Sequence, residues 1–177
     1  MDSFSMFRLA LSVLCLVIAL HSSGPAPAQE PAKAGDVAVA GWVEDGWIGM
    51  PPIKLKVKLD TGAKTSSIHA AQYREYERDG KPHVSFTLVN NEGGELKIDA
   101  PVIRTASIRR AGAELRERPV IRLSLCVAGV TAETEFTMAD RSDLRYPVLV
   151  GRSFLAGRIL VDAARTFQAS TRCKPQE

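Results

Sequence analysis

Aromatic residues, cysteines and long apolar runs are scarce in this chain of 177 residues. Only 6% of the residues are aromatic, and 23 basic against 20 acidic residues leave a net charge of +3. That balance gives no electrostatic reason for nucleic-acid binding, which needs clustered cations. No apolar run is long enough to cross a bilayer as a helix. The hydrophobic fraction of 45% nevertheless excludes a disordered chain and predicts a folded domain.

The longest apolar run has the properties of a targeting segment. Residues 9–20 (LALSVLCLVIAL) follow Arg8 and precede polar residues, which suits the core of a signal peptide. The small residues Ala26-Pro27-Ala28 offer a cleavage site. We therefore predict a signal peptide over residues 1–28, with an uncleaved anchor as the alternative, and a flexible leader over residues 29–36. The mature chain would be exported, periplasmic or secreted, and would have no membrane span.

Two cysteines, Cys126 and Cys173, remain after that cleavage. In an oxidising compartment two thiols can pair, and a bridge between them would stabilise the fold by about 4 kcal/mol in the chain-entropy model. The alternative is a buried Cys126 and a free Cys173 on the tail. The sequence leaves both open, because it does not show the distance between the two residues.

Short strands dominate the rest of the chain. Residues 53–59 (IKLKVKL) alternate apolar and basic side chains, which predicts a half-buried strand. Brief apolar or alternating runs bounded by turn residues predict further strands at 83–89, 95–100, 120–127, 131–137, 148–150 and 159–161. Helix is expected only around residues 153–156, with a single helical turn at residues 73–78. The whole predicts one all-β domain over residues 37–170, followed by a tail at residues 171–177.

The motif with the clearest chemistry is Asp60-Thr61-Gly62-Ala63, placed where the alternating strand ends. Gly62 allows a tight turn around the carboxylate, and nearby hydroxyls can hold that turn rigid. A positioned carboxylate on a rigid turn is what activation of a water molecule requires. The same tripeptide is also a good strand-to-turn sequence in any β protein, so the motif alone leaves both interpretations open.

A second segment favours the catalytic interpretation of the Asp60 motif. Val148-Leu149-Val150-Gly151-Arg152 brings its glycine 91 residues after Asp60. The pairing resembles the retropepsin-type aspartic peptidases, and more closely a bacterial family on that fold that carries the label "ATP-dependent zinc protease". The segments that carry the resemblance are 58–70, 140–143 and 149–153. It spans about residues 41–167 and implies an all-β, retropepsin-like (acid protease) closed barrel with one short helix.

The resemblance also implies an aspartic endopeptidase that acts on a peptide or protein substrate. Asp60 would be the catalytic carboxylate, and the residues that support its loop would be Thr61, Gly62, Ala63, Gly151 and Arg152. Such enzymes need two carboxylates that share one proton around a water molecule. This sequence contains one Asp-Thr-Gly, so a homodimer is implied in which Asp60 meets its symmetry mate.

Neither part of the family label fits the residues. A zinc hydrolase needs a clustered set of ligands, and the predicted mature chain has only His69 and His83. ATP use needs a glycine-rich loop that ends in Gly-Lys-Ser/Thr, which residues 62–65 (GAKT) do not supply. We expect no cofactor and no metal.

Two features leave the function open. In the retroviral pattern the arginine of the Gly-Arg segment pairs with an aspartate four positions after the catalytic one, where this chain has Lys64. Arg152 is therefore expected to pair with Asp140 or Asp143. A catalytically silent module that binds a peptide or a cell-envelope ligand on the same fold is the alternative function.

A mobile flap over the substrate is a further expectation. The glycines Gly93 and Gly94 lie at the tip of a predicted hairpin and could provide it. A plain hairpin is the alternative.

Overall fold

The computed structural model describes residues 37–108, 116–170 and 173, and most of them form β-strands. The predicted signal peptide, leader and tail lie outside the described residues, apart from Cys173. No described helix has the length and apolar character needed to cross a membrane. The strands are β1 (Ala38–Ile48), β2 (Ile53–Leu59), β3 (Ser66–His69), β4 (Arg74–Arg78), β5 (Lys81–Val89), β6 (Glu95–Pro101), β7 (Arg104–Ile108), β8 (Arg116–Val127), β9 (Val130–Ala139), β10 (Val148–Val150) and β11 (Ile159–Thr166), and the short helix α1 is Arg152–Leu155.

Six strands close into a barrel. Hydrogen bonding runs in the order β1-β2-β10-β3-β9-β8, and β8 pairs back onto β1 to complete the ring. Strand β11 extends the sheet beside β1, and β7 extends it beside β8. The prediction of an all-β closed barrel with one short helix is confirmed.

Alternation of side chains fills the barrel. On β2 the apolar members Ile53, Leu55, Val57 and Leu59 are buried, whereas the intervening lysines reach outward. This pattern confirms the half-buried strand that the sequence predicts, because successive side chains of a strand point to opposite faces. Strand β10 is buried at both ends, Val148 and Val150, since it lies between β2 and β3.

The prediction of a helical turn at residues 73–78 is wrong. Residues 74–78 form β4, which pairs antiparallel with β5 in a separate three-stranded sheet with β6. The Tyr76 hydroxyl donates to an Asp99 carboxylate oxygen on β6 at 2.6 Å, and the guanidinium of Arg78 lies over the Tyr76 ring. Pairing of the backbone groups of β5 with β4 decides the conformation here, which local sequence does not reveal.

The C-terminal segment is fastened to the barrel at two points. The buried Glu44 carboxylate on β1 accepts hydrogen bonds from the amides of Gln168 and Ala169 and from the Ser170 hydroxyl, at 2.7–3.1 Å. A disulfide joins Cys126 on β8 to Cys173, with their Cα atoms 5.9 Å apart. Of the two arrangements left open by the sequence, the structure has the bridge.

Candidate active site

Asp60 follows the last residue of β2, and its backbone is held by the neighbouring strand. Its amide donates to the Val150 carbonyl on β10 at 2.8 Å. The side chain remains 24% exposed, so the carboxylate reaches the surface of the chain. A carboxylate at this position can contact solvent or a bound molecule while its backbone stays fixed.

The loop after Asp60 turns its amides onto the carboxylate. The Oδ1 atom accepts hydrogen bonds from Gly62 at 3.0 Å and from Ala63 at 3.2 Å. A Cβ added at Gly62 would lie 3.2 Å from the same oxygen, so the absence of a side chain permits this close turn. Lys58, two residues earlier on the same face of β2, places its Nζ atom 3.1 Å from Oδ2.

These contacts favour the ionised carboxylate. Partial burial by itself raises the pKa of Asp60, but the hydrogen bond and charge of Lys58 and the amides of Gly62 and Ala63 outweigh it. The net effect is a pKa below its usual value. In a single chain Asp60 is therefore an anion at neutral pH, as a general base must be.

The segment after β10 packs directly against this loop. The amides of Arg152 and Ser153 donate to the carbonyls of Ala63 and Lys64 at 2.9 and 3.0 Å. Gly151 lies so close to the loop that an added Cβ would come within 2.5 Å of the Thr65 carbonyl oxygen. Its amide donates to the buried Ser66 hydroxyl at 3.1 Å. Residues 151 and 152 thus contact the Asp60 loop and the start of β3 through their backbone amides, independently of side-chain contacts.

The prediction that Arg152 pairs with Asp140 or Asp143 is wrong. Its Nη1 atom donates to the Thr61 and Gly62 carbonyls at 3.0 and 2.7 Å, and no carboxylate pairs with it among the described residues. Asp140 instead accepts hydrogen bonds from the backbone amide and the hydroxyl of Ser142. Because helix α1 begins beside the loop, these carbonyl groups lie closer to the guanidinium than any carboxylate of the described residues does.

The hairpin with Gly93 and Gly94 does not cover Asp60 within one chain. Its tip residues border a cavity of about 310 Å³ together with Lys54 and Lys56 on β2. Lys54 lies six residues before Asp60, which corresponds to roughly 20 Å along a strand. The hairpin therefore sits toward the opposite end of β2 from the candidate catalytic residue in a single chain, and the flap stays a prediction.

Sequence reasoning missed two cations at this site. Lys58 is the last lysine of the alternating strand, and its place two residues before Asp60 is a signal that could have identified it. Arg141 follows β9, is buried, and donates from Nη1 to the Ser67 hydroxyl on β3 at 2.9 Å. Arg141 lies in segment 140–143, which carries the family resemblance, but its contact with Ser67 spans 74 residues and is not visible in local sequence.

His69 is placed at the edge of an open cavity. Its Nδ1 atom accepts the Arg141 amide hydrogen at 3.0 Å, which leaves the ring proton of the neutral imidazole on Nε2. The cavity has a volume of about 680 Å³ and runs between residues 69–74 and strands β5 and β6. Across residues 37–108, 116–170 and 173 no three His, Cys, Asp or Glu side chains are grouped so that they could hold a metal ion.

Comparisons with known proteins match most of this chain. A family model described as "RimB-like: Retropepsin-like aspartic endopeptidase RimB" matches residues 39–172. A protein named "Probable alpha-L-glutamate ligase" from Shewanella halifaxensis is 35% identical over 129 residues, which are 71% of this chain and 28% of that protein. A protein of the same name from Parasynechococcus marenigrum is 32% identical over 130 residues. The chain thus spans about 28% of the length of these relatives.

A solved structure has a similar fold. It is a crystal structure of a protein of unknown function from Legionella pneumophila, with a TM-score of 0.65 and 28% sequence identity. The match covers 75% of this chain and 98% of the Legionella protein. Nearly the whole of that protein is therefore a domain similar to this one.

Proposed function

The chain belongs to the RimB-like family of retropepsin-like aspartic endopeptidases, and we propose that it hydrolyses peptide bonds with a pair of Asp60 carboxylates. The observation that carries this proposal is the Asp60 loop, where two amides fix a partly exposed carboxylate on a rigid turn. One carboxylate of the pair would activate water while the other, protonated, polarises the peptide carbonyl. The proton belongs to the pair and not to either residue.

A homodimer follows from the same proposal. Each chain has one Asp-Thr-Gly, so the second carboxylate must come from a second copy. Cleavage of an unstructured protein should be lost in an Asp60→Asn variant, and specific activity should fall on dilution below the dimer dissociation constant. Excess Asp60→Asn chains should also poison the wild type, because mixed dimers have one aspartate. Full activity from a protein that sediments as a monomer would rule out the shared pair.

The proposed substrate is an acidic peptide. Cationic groups surround Asp60: Lys58 contacts it, Arg152 holds its loop, and the charge of Arg141 lies close enough to interact with it. The relatives that contain a similar segment are named as ligases of α-L-glutamate, which supports a substrate of α-linked glutamate residues. Cleavage rates on α-linked oligoglutamate and on oligoglutamine of equal length test the preference, with equal rates as the result against it.

The ion pair between Lys58 and Asp60 also supports a second candidate function. Lys58 stabilises the ionised carboxylate, which makes it harder for a pair of aspartates to retain the shared proton. A catalytically silent module that binds a peptide or a cell-envelope ligand remains the alternative function. It predicts that wild type and Asp60→Asn bind oligoglutamate alike while neither cleaves it.

Export is proposed with the function. The Cys126–Cys173 disulfide supports an oxidising compartment, where such bridges form and persist. Cell fractionation and N-terminal sequencing of the expressed protein test this, with a mature N-terminus at Gln29 expected. An intact N-terminus in the cytoplasmic fraction would contradict it.

A further inference from the structure

Arg141 is a buried cation for which neither the fold nor the proposed chemistry gives a carboxylate partner. The residue is only 8% exposed. Its Nε atom donates to the Tyr146 carbonyl at 3.0 Å and its Nη1 atom to the Ser67 hydroxyl at 2.9 Å. Both acceptors are neutral, and no ion pair involves Arg141 among the residues that the structure describes.

Such an arrangement leaves donors of the guanidinium available for an anion. A guanidinium carries five N–H donors, and these two hydrogen bonds leave most of them unused. Burial disfavours the charged form and lowers the pKa of Arg141, and the nearby Asp60 only partly opposes this effect. Buried charges in proteins are normally paired, because an isolated one loses its hydration without compensation.

Strand register gives the position of Arg141 relative to Asp60. Ser67, which Arg141 contacts, pairs with Leu149, and Leu149 pairs with Lys58 on the next strand. Two strand spacings separate Ser67 from Lys58, which is about 10 Å. Lys58 in turn contacts Asp60. An extended peptide advances about 3.3–3.6 Å per residue, so a side chain roughly two or three residues from a bond held at Asp60 can reach Arg141.

We propose that Arg141 is a specificity-determining residue that binds a carboxylate of the acidic substrate. It binds a glutamate side chain two or three residues from the scissile bond, using the N–H donors that Ser67 and Tyr146 leave free. Those two contacts hold the guanidinium in one orientation, so that little side-chain entropy is lost on binding. This inference rests on the proposed peptidase function.

A purely structural role is the competing explanation. Arg141 joins the segment before β10 to β3, and its loss could simply loosen that segment. The two roles differ in their dependence on substrate charge. A structural defect lowers activity on every peptide alike, whereas loss of a carboxylate-binding group lowers it only on peptides that carry the carboxylate.

The test uses an α-linked octaglutamate peptide and eight variants with one glutamate each changed to glutamine. Wild type is expected to lose roughly 10- to 100-fold in kcat/KM at one position two or three residues from the cleaved bond. In Arg141→Gln that same substitution should have little further effect. Equal losses in Arg141→Gln on all nine peptides, or a wild type indifferent to every substitution, would overturn the proposal. Arg145→Gln is the matched control, since Arg145 is an exposed cation in the same segment.

A binding measurement tests the role of Arg141 independently of the proposed peptidase activity. Calorimetric titration of the Asp60→Asn variant with octaglutamate measures binding without cleavage. The double variant Asp60→Asn/Arg141→Gln should bind octaglutamate roughly 10-fold or more weakly than Asp60→Asn alone. Unchanged affinity would refute the role of Arg141 even if the enzyme cleaves peptides. If Arg141→Gln does not fold, Arg141→Lys replaces it, because lysine keeps the charge but lacks the forked donors. Relative to wild type, the Arg141→Lys variant should then lose kcat/KM only on peptides that retain the glutamate bound by Arg141. An equal loss of kcat/KM on all nine peptides would again count against the proposal.

Discussion

Lys58 on β2 and Asp60, the residue that follows this strand, form an ion pair with 3.1 Å between Nζ and Oδ2. The pair exists because residues two apart on a strand share a face, and this face is the outer one. It places a positive charge beside the carboxylate that the proposed mechanism uses as a base. The lysine thereby influences the range of pH over which a pair of aspartates can hold one proton.

Replacing Lys58 with methionine should move the activity profile to higher pH. Lys58 stabilises the ionised form and so contributes to the lowered pKa of Asp60; without it the pKa rises. The carboxylates then take up protons at higher pH, and both limbs of the bell-shaped dependence of kcat/KM should shift in that direction. Rate measurements across a pH series with one peptide test this.

Lys56→Met is the control for that experiment. Lys56 lies on the same face of the same strand, and its nearest described aromatic partner is Phe167, away from Asp60. Both variants remove one positive charge, so a general charge effect would shift both profiles equally. A shift confined to Lys58→Met is the expected result.

An Arg152→Ala variant should remain folded but lose activity. The guanidinium is exposed and holds the Thr61 and Gly62 carbonyls, so its removal should cost about 1 kcal/mol of unfolding free energy. A loosened catalytic loop should lower kcat by 10-fold or more, since small displacements of a reacting group are expensive. Denaturant titration and steady-state kinetics measure the two effects.

The matched control is Arg158→Ala. Its guanidinium also donates to a backbone carbonyl, that of Phe154, but at the far end of the helix. It should show a comparable small loss of stability with normal kcat. A large destabilisation from Arg152→Ala, such as a buried ion pair would give, contradicts the contacts described above.

A Gly151→Ala variant should both destabilise the protein and impair the site. The new methyl group would meet the Thr65 backbone at 2.5 Å, and backbone cannot move aside as a flexible side chain can. We expect a loss of about 3 kcal/mol together with low activity. In Gly80→Ala the methyl group meets nothing within 4 Å and only the left-handed backbone is strained, so about 1 kcal/mol and full activity are expected. Thermal unfolding and peptide assays compare the two variants.

Reduction of the disulfide should destabilise the fold without altering the site. The bridge links Cys126 to Cys173 across a separation of 47 residues, and breaking it should cost about 2–4 kcal/mol. Mass measurement after alkylation should find both thiols blocked before reduction and both modified after it. A Cys126→Ser/Cys173→Ser variant should reproduce the loss of stability. Two free thiols in the native protein would exclude the bridge.

Local sequence was sufficient for most of the strands and for the Asp60 loop. The alternation of residues 53–59 predicted β2 because one face of that strand must be buried, and the structure buries the four apolar members. It failed at residues 74–78, where tyrosine and charged residues fit a helical turn as well as a strand. Pairing with β5 decided that segment, and the partner strand is not encoded locally.

The sequence by itself determined the all-β class and the motif at Asp60, since each depends on residue type and short-range spacing. Tertiary structure decided the partners of Arg152, the burial of Arg141 and the place of the Gly93–Gly94 hairpin. The first two follow from the ring of strands, in which β10 is inserted between β2 and β3 and brings residues 151 and 152 onto a loop about 90 positions earlier. The hairpin belongs instead to the separate sheet of β4, β5 and β6. Contacts at that separation depend on which strands pair, and pairing is settled by closure of the whole barrel and not by any one segment.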